Sequence, residues 1–327
     1  MILGIDTSNY RTSIAAVTAE GEVLLNARKL LPVAEGERGL RQSDAVFIHL
    51  KQLREMTEQL RETVRGGRVQ AVAASVRPRN LPESYMPVFQ AGETVARALA
   101  AAADVPFYET DHQSGHIRAA VCETPLAGAE RFLALHLSGG TTELLLRDGE
   151  TLTPLGGTMD LHAGQLVDRA GVALGCRFPA GPELEEMARR GRSEGRLGCS
   201  MAEEDLCCNF SGAETRVQQW IAEGKMARED IALEIYDLLS RTVSRMLEAG
   251  RKKTGVRQAL IAGGVASSPL FREMLLARCE KLHRGLMPVF GRAEYSGDNA
   301  VGVALIGADR LRREQEGGGE RDGGTAT

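Results

Sequence analysis

Two histidines, His112 and His116, stand four residues apart in the segment DHQSGH, residues 111–116. Side chains at positions i and i+4 share one face of a helix, so both imidazoles can bind a single metal ion. A zinc peptidase carries Glu at the position of Gln113, and because Gln113 cannot accept a proton the sequence argues against that class of enzyme. Two imidazoles under-ligate a metal, and Asp298, near the other end of the chain, is a candidate third ligand. Such a set suits Fe²⁺ or Zn²⁺, while two ordinary surface or core histidines are the alternative for the pair alone.

Two turns between predicted strands could hold a phosphate group. One spans residues 6–9 and the other residues 138–142, SGGTT. Backbone N–H groups can converge on an anion in such turns, and in the second turn glycine lets the chain approach closely; ordinary β-turns are the alternative. The same order of strand, turn and strand occurs at residues 2–17 and 132–147, which indicates an internal duplication of one nucleotide-binding lobe.

A second glycine pair, Gly263-Gly264, follows a predicted buried strand at residues 259–261 and precedes a predicted helix at residues 269–281. This order places a ligand at a helix N-terminus, with a tight strand–helix turn as the alternative. The segment matches neither the dinucleotide fingerprint nor a phosphate-binding loop of the Gly-Lys-Ser/Thr type. Asp168 lies on a predicted helix at residues 163–174 and could bond ribose hydroxyls, or could pair with Arg169 at the surface.

The elements that must position these residues alternate between strands and helices. A β-meander opens the chain, Ser43-Asp44 caps a long helix, and Asp111 caps the helix that carries the two histidines. A chain of 327 residues suits two domains. We predict lobes at residues 1–130 and 131–313, the first with the metal-binding helix and the second with a helical insertion and the nucleotide loops. The Gly- and Glu-rich tail, 314–327, is predicted to be disordered.

Composition narrows the classes of function. The net charge of −4 argues against a surface built wholly for nucleic acid. A local basic face could still come from Arg77, Arg79, Arg251, Lys252 and Lys253, although a solvated face is the ordinary explanation. The six cysteines form no C-x-x-C pair, and the sequence shows neither a signal peptide nor a membrane span. These features predict a cytoplasmic protein with reduced thiols.

Taken together, the motifs resemble those of the TsaD family of tRNA threonylcarbamoyladenosine synthases, within the actin/Hsp70/sugar-kinase superfamily. The resemblance covers nearly everything from Ile2 to about Arg313. The motifs that carry it, in chain order, are LGIDTSNYRTSIA, DHQSGH, LSGGTTEL, the run from GGTMDLHAGQLVDRAG to FPAGP, NFSGAET, IAGGVASS and SGDNAVGVA. Their order and spacing are far more specific than any one of them.

The resemblance implies a two-lobed α/β fold of the actin-like ATPase (ASKHA) type with duplicated sheet-and-helix domains. It also implies a transferase that moves a threonylcarbamoyl group from its adenylate to the exocyclic amine of an adenosine in tRNA. One divalent metal ion, Fe or Zn, would be held by His112, His116 and Asp298. An ATP or adenylate nucleotide would be the second cofactor, with tRNA and TsaB-like and TsaE-like proteins as partners. The residues implied to contact nucleotide or substrate are Leu137, Ser138, Gly139, Gly140, Thr141, Asp168, Gly181, Gly263, Gly264 and Ser268.

The chain departs from the family pattern around these ligands. The opening motif, which usually continues Cys-Asp-Asp/Glu, continues Asn9-Tyr10-Arg11, and the family's GPG segment is replaced by residues 77–87. Single changes place Thr141 where the family has His, Gln165 for Glu, Glu214 for Lys and Ser268 for Asn. These departures favour a divergent paralogue and leave two alternatives: a non-catalytic nucleotide-binding partner of a true TsaD, or a carbamoyltransferase with another acceptor.

Overall fold

The computed structural model describes residues 1–8, 11–32, 40–81, 83–202, 204, 206–295 and 297–319. The strands are β1 (Ile2–Thr7), β2 (Arg11–Val17), β3 (Val23–Leu30), β4 (Ala71–Arg77), β5 (Phe107–Asp111), β6 (Arg131–Leu137), β7 (Thr142–Asp148), β8 (Thr151–Gly157), β9 (Ser200–Ala202), β10 (Cys207–Asn209), β11 (Gln258–Ala262) and β12 (Met287–Phe290). The helices are α1 (Gln42–Val64), α2 (Phe89–Ala103), α3 (His112–Ala120), α4 (Ala163–Ala173), α5 (Gly181–Ala188), α6 (Ser211–Glu223), α7 (Arg228–Thr254), α8 (Pro269–Leu282) and α9 (Val301–Gly319).

The chain folds into two compact units, of which the first joins Met1–Cys122 to the segment from Gly297 onward and the second is Glu123–Ser296. The sequence predicts a second lobe that spans residues 131–313, but α9 packs on β1, β4 and α3 of the first unit. The apolar periodicity of α9 marks it as a helix and carries no information about which sheet it covers.

Each unit is built on a five-stranded sheet of the same design. The strand order is β3-β2-β1-β4-β5 in the first unit and β12-β11-β6-β7-β8 in the second. In both, three antiparallel strands are followed by two strands parallel to the first of them. The predicted α/β fold with duplicated sheets is therefore confirmed.

Buried apolar faces join helices to each sheet. Leu3 and Ile5 of β1 pack with Leu53 of α1 and Ala96 of α2 in the first unit. In the second unit, Leu133 and other sheet residues pack with the buried stripe of α7. Side chains on a strand alternate between its faces, so the covered stretches of the central strands, residues 2–5 of β1 and 132–135 of β6, are apolar on both faces.

Two local predictions differ from the structure. Arg41, not Ser43 or Asp44, precedes α1, and its side chain makes no capping hydrogen bond. The helix α9 continues to Gly319, and the Tyr108 hydroxyl donates to Glu314 Oε2 at 2.7 Å, so the predicted disordered tail begins with six helical residues. Residues 320–327 lie outside the described part of the chain. Within that part, no helix has the length and apolar character needed to cross a membrane.

A buried histidine joins α1 to β2. His49 is fully buried, and its Nδ1 lies 2.8 Å from Thr12 Oγ1. The Thr12 hydroxyl donates to Gln52 Oε1 at 2.6 Å, so Nδ1 carries the proton and donates to Thr12. Burial lowers the pKa of His49 to about 4, with a partial offset from Ser8 and Asp6.

This histidine predicts an acid sensitivity of the fold. Below its unfolded pKa of about 6.5 the unfolded chain binds a proton that the folded protein excludes, so stability is lost as pH falls from about 6.5 to about 4. We expect His49 to account for a loss of roughly 3 kcal/mol in the free energy of unfolding over that range. Urea unfolding at several pH values gives the free energy of unfolding as a function of pH. This free energy should fall less steeply between about pH 6.5 and pH 4 for His49→Gln than for the wild type. Parallel curves for the two proteins would contradict the assignment.

Candidate metal centre and nucleotide pocket

The helix that carries the two histidines begins where the sequence predicts. Asp111 precedes α3, and its Oδ1 accepts a hydrogen bond from the Ser114 N–H at 2.9 Å. This cap fixes the first turn, and the spacing of four residues then places His112 and His116 side by side. Their ring centroids are 4.4 Å apart and their Nε2 atoms 3.0 Å apart.

Asp298 completes a group of three ligand atoms. Its Oδ1 lies 3.0 Å from His116 Nε2 and 3.7 Å from His112 Nε2. The three atoms all lie within 4.8 Å of one another. With metal–ligand bonds of about 2.0–2.2 Å, neighbouring ligands of one ion are roughly 3–3.5 Å apart, so this donor set fits a divalent ion. The structure thus brings together the three residues that the sequence analysis proposed as ligands.

The close crossing of α3 and α9 brings Asp298 to the histidines. A Cβ atom on Gly302 would lie 1.8 Å from the Gly115 carbonyl oxygen and 2.7 Å from the Ala119 nitrogen. Only glycine allows the two backbones to approach this closely. Because α9 begins three residues after Asp298, this contact sets where the carboxylate lies.

Two side chains at the end of β1 orient the ligands. The Asp6 carboxylate, 2 % exposed, accepts a hydrogen bond from His112 Nδ1 at 2.6 Å and another from the Ser75 hydroxyl at 2.7 Å. The Ser8 hydroxyl donates to Asp298 Oδ2 at 3.0 Å. These bonds leave His112 Nε2 and Asp298 Oδ1 facing the shared point. The predicted phosphate-binding turn at residues 6–9 therefore uses Asp6 and Ser8 to hold ligands, while Asn9 lies outside the described residues.

The charges of this group are coupled. Burial opposes protonation of His112, but the carboxylates of Asp6, Asp298 and Asp111 outweigh it and raise the pKa of His112 to about 9. Burial would raise the pKa of Asp298, but hydrogen bonding and charge from His116 and His112, with a hydrogen bond from Ser8, hold it well below its usual range. A metal ion that binds here must therefore displace a proton from His112, which makes binding weaker as pH falls.

The Asp6–His112 hydrogen bond predicts an effect on metal affinity. Carboxylates that orient a ligating histidine typically contribute 10–100-fold to metal binding. We expect Asp6→Asn to raise the dissociation constant for Zn²⁺ by about that factor, measured by competition with a chelator. Asp148→Asn, a matched change at an exposed residue of the second unit that pairs with Arg131, should leave the constant unchanged. Equal affinities for Asp6→Asn and the wild type would show that Asp6 does not support the ligand.

A cavity of about 420 Å³ lies within the second unit. It collects five of the residues predicted to contact nucleotide or substrate: Gly139, Asp168, Gly181, Gly264 and Ser268. Three further residues that line the cavity, Val167, Glu185 and Tyr236, are not among those predicted from the sequence. Tyr236 lies in the apolar stripe of α7, and its spacing in the sequence is that of a core residue. Apolar walls with a few polar groups are typical of a site for a small organic ligand.

The polar groups at this cavity already have structural partners. Asp168 Oδ1 accepts a hydrogen bond from the Ala180 N–H at 2.8 Å, and the Tyr236 hydroxyl donates to the Gly181 carbonyl at 3.1 Å. Ser268 caps α8 by accepting from the Phe271 N–H at 3.2 Å. The start of α8 therefore lies at the cavity wall, where the helix dipole favours an anionic group.

The other predicted contact residues do not line this cavity. Leu137 is fully buried, and a Cβ on Gly263 would lie 2.2 Å from its carbonyl oxygen, so Gly263, at φ +105°, is needed for packing. The Ser138 hydroxyl accepts from the N–H groups of Gly140 and Thr141 at 3.3 and 3.1 Å. These N–H groups close the turn on itself instead of pointing together at a ligand.

Two of the departures from the family pattern have local structural roles. Gln165 Oε1 accepts from the His162 N–H at 3.1 Å, which completes the cap of α4 as a glutamate would. Glu214 lies in the first turn of α6, where a negative charge favours the helix dipole. Both changes are compatible with the same backbone.

Comparisons with known proteins agree with this architecture. The sequence profile of the TsaD family, described as tRNA N6-adenosine threonylcarbamoyltransferase, matches residues 49–305. The chain is 27% identical over 305 residues to a tRNA N6-adenosine threonylcarbamoyltransferase of Archaeoglobus fulgidus, covering 93% of this chain and 90% of that protein.

Two solved structures share the fold. Full-length HypF in a phosphate- and nucleotide-bound form matches with a TM-score of 0.61 at 13% identity, over 95% of this chain and 55% of HypF. The ROK hexokinase of Thermus thermophilus matches with a TM-score of 0.53 at 16% identity, over 95% of this chain and 99% of the kinase. At these identities the likeness concerns the actin-like fold alone.

Proposed function

Because the chain belongs to the TsaD family of tRNA N6-adenosine threonylcarbamoyltransferases, we propose that it is a metal-dependent transferase acting on tRNA. It would move a threonylcarbamoyl group from its adenylate to the exocyclic amine of an adenosine. The observation that carries this proposal is the convergence of His112, His116 and Asp298 on one point. A non-catalytic paralogue would not require three converging metal ligands or the two side chains that orient them.

The reaction forms one bond and breaks one. The adenosine amine attacks the carbamoyl carbonyl carbon, the bond from that carbon to the phosphate oxygen breaks, AMP leaves with the electron pair, and the amine loses a proton. A divalent ion bound by the three ligands would supply Lewis-acid stabilisation of the charge that develops on oxygen. In the metal site, Asp6 would hold the tautomer of His112, and Ser8 would hold Asp298 Oδ1 toward the shared point.

The second unit would bind the nucleotide part of the substrate. The apolar wall formed by Val167 and Pro179 suits a base, and the start of α8 at Ser268 suits an anionic group. Asp168 keeps one carboxylate oxygen beside Ala180, so Oδ2 would be the oxygen left for a ribose hydroxyl. TsaB-like and TsaE-like proteins belong to the proposal as partners, because the family resemblance implies them.

The proposal is tested by supplying threonylcarbamoyl adenylate, one equivalent of Fe²⁺ or Zn²⁺, the partner proteins and an unmodified tRNA transcript. Nucleoside digestion and mass spectrometry should show the modified adenosine. The adenylate consumed with the group transferred to a small amine instead would favour a carbamoyltransferase with another acceptor. Nucleotide binding without consumption of the adenylate would favour a non-catalytic paralogue. Either result would overturn the proposed activity.

A further inference from the structure

The second unit carries a concentration of positive charge that the proposed metal and nucleotide sites do not use. Residues 251–290 contain eight Lys and Arg but only two Glu, although the whole chain has a net charge of −4. The remainder of the chain is therefore strongly acidic. Of this group, only Arg251, Lys252 and Lys253 form a continuous basic run in the sequence.

Packing brings these cations together on one face. Helices α7 and α8 lie against each other, and their C-terminal ends meet where β11 and β12 begin. The Arg257 Nε donates to the Gly285 carbonyl at 3.0 Å, and Gly285 lies against the Arg251 guanidinium. We call the basic face the set of exposed cations at this end of the unit: Arg245, Lys252, Lys253, Arg257, Lys281 and Arg284.

Two of the nearby carboxylates pair with arginines that lie inside this face. Asp237 binds both Arg241, at 2.7 Å, and Arg278. Glu248 binds Arg251 at 2.7 Å. Within the described part of the chain, Lys252, Lys253, Lys281 and Arg284 form no ion pair with a carboxylate. These four side chains are exposed to solvent.

A cavity of about 290 Å³ lies beside these cations, lined among others by Arg241, Arg245, Arg278 and His283. Helix dipoles explain a cation in the last turn of a helix, which accounts for Lys252, Lys253 and Lys281. They do not account for Arg245 in the middle of α7, for Arg257 before β11, or for Arg284 beyond the end of α8. The concentration of charge thus exceeds what helix stability requires.

We propose that the basic face binds the phosphodiester backbone of the tRNA, an inference that rests on the proposed function for the identity of the RNA. On a chain of net negative charge, RNA is repelled from most of the surface and is favoured where cations concentrate. Lys and Arg on flexible stems suit phosphate contacts, and the exposed members of this face include no aromatic side chain on which a base could stack. The face therefore holds the RNA without selecting its sequence.

The test is a charge reversal with a matched control. The triple variant Lys252→Glu/Lys253→Glu/Lys281→Glu removes three cations of the face, and Lys→Gln at the same positions removes them with less effect on the helix ends. The control is Arg54→Glu/Arg65→Glu/Arg68→Glu, which changes the net charge equally at exposed residues of the first unit. Affinity for an unmodified tRNA transcript is measured by filter binding across a salt series.

The binding constant K falls with salt, and each lost phosphate contact should make the slope of log K against log salt shallower by about 0.9. Both face variants, which lack three cations, should therefore show a slope that is shallower by about 2–3. At about 0.15 M salt we expect the affinity of the face variants to fall at least tenfold and that of the control to fall less than twofold. Equal weakening in the face and control variants, or wild-type binding in the face variants, would overturn the proposal. Face variants that bind tRNA with wild-type affinity but no longer bind a protein partner would also overturn the proposal.

The binding assay separates this inference from the proposed function. A wild-type protein that binds tRNA through this face but transfers no group would contradict the transferase proposal and still support tRNA binding by the basic face. Face variants that transfer the group with the wild-type KM for tRNA would contradict tRNA binding by the basic face and still support the transferase activity. If both hold, the KM for tRNA rises in the face variants while kcat at saturating tRNA stays unchanged.

Discussion

Replacement of His116 by alanine is expected to leave a folded protein that no longer holds its metal. His116 Nε2 lies 3.0 Å from both His112 Nε2 and Asp298 Oδ1, so its removal takes one ligand from a set of three. Loss of a residue that only orients a ligand costs 10–100-fold in affinity, so loss of a ligand itself should cost more than about 100-fold. Transfer activity should fall in parallel, because the Lewis-acid contribution is worth several kcal/mol of barrier.

Metal content of the purified His116→Ala protein checks this expectation. Elemental analysis after dialysis should find close to one metal ion per wild-type chain and almost none per variant chain. His283→Ala, a histidine substitution at the end of α8 in the second unit, should keep the full complement. A His116→Ala protein with wild-type metal content would show that the ligand group lies elsewhere.

Replacement of Gly302 by alanine is expected to destabilise the first unit and weaken the metal site together. The added Cβ would meet the Gly115 carbonyl oxygen at 1.8 Å, and this neighbour is backbone, which cannot rotate away. One of the helices α3 and α9 must move, which separates Asp298 from the histidines. Overpacking of this kind costs about 1–3 kcal/mol and occasionally more, and we expect about 3 kcal/mol here.

Urea unfolding and a metal-competition titration on the same Gly302→Ala sample test both parts. The matched control is Gly212→Ala, which lies in the first turn of α6 with nothing near the added Cβ. There the better helix propensity of alanine should leave stability unchanged or raise it by up to about 1 kcal/mol. Gly302→Ala with wild-type stability and metal affinity would mean that the helix crossing does not position Asp298.

Local patterns predicted much of the metal centre. The spacing of His112 and His116 and the cap at Asp111 depend on residues within one helix, where sequence periodicity is informative. The role of Asp6 depends on a pairing across 106 residues, between the end of β1 and α3. No local pattern distinguishes a carboxylate that binds phosphate from one that accepts a bond from a distant imidazole.

The predicted nucleotide loops also show that local sequence does not determine the role of a turn. The turn at Ser138 and the glycine pair after β11 lie where the sequence predicts, but the turn directs its N–H groups to the Ser138 hydroxyl. Gly263 is required because a Cβ atom at this position would lie 2.2 Å from the Leu137 carbonyl oxygen, a proximity that only the folded sheet creates. Composition of a turn thus predicts that a turn exists, and tertiary contacts decide which of its groups are available.

The dependence of threonylcarbamoyl transfer on bound metal is the decisive test of the proposed activity. The purified protein would be stripped with a chelator, divided, and assayed with adenylate, partner proteins and tRNA before and after one equivalent of Fe²⁺ or Zn²⁺ is restored. We expect no modified adenosine from the stripped protein, recovery with one equivalent of metal, and no recovery for His116→Ala. Equal product from stripped and restored protein, or none from either, would contradict it.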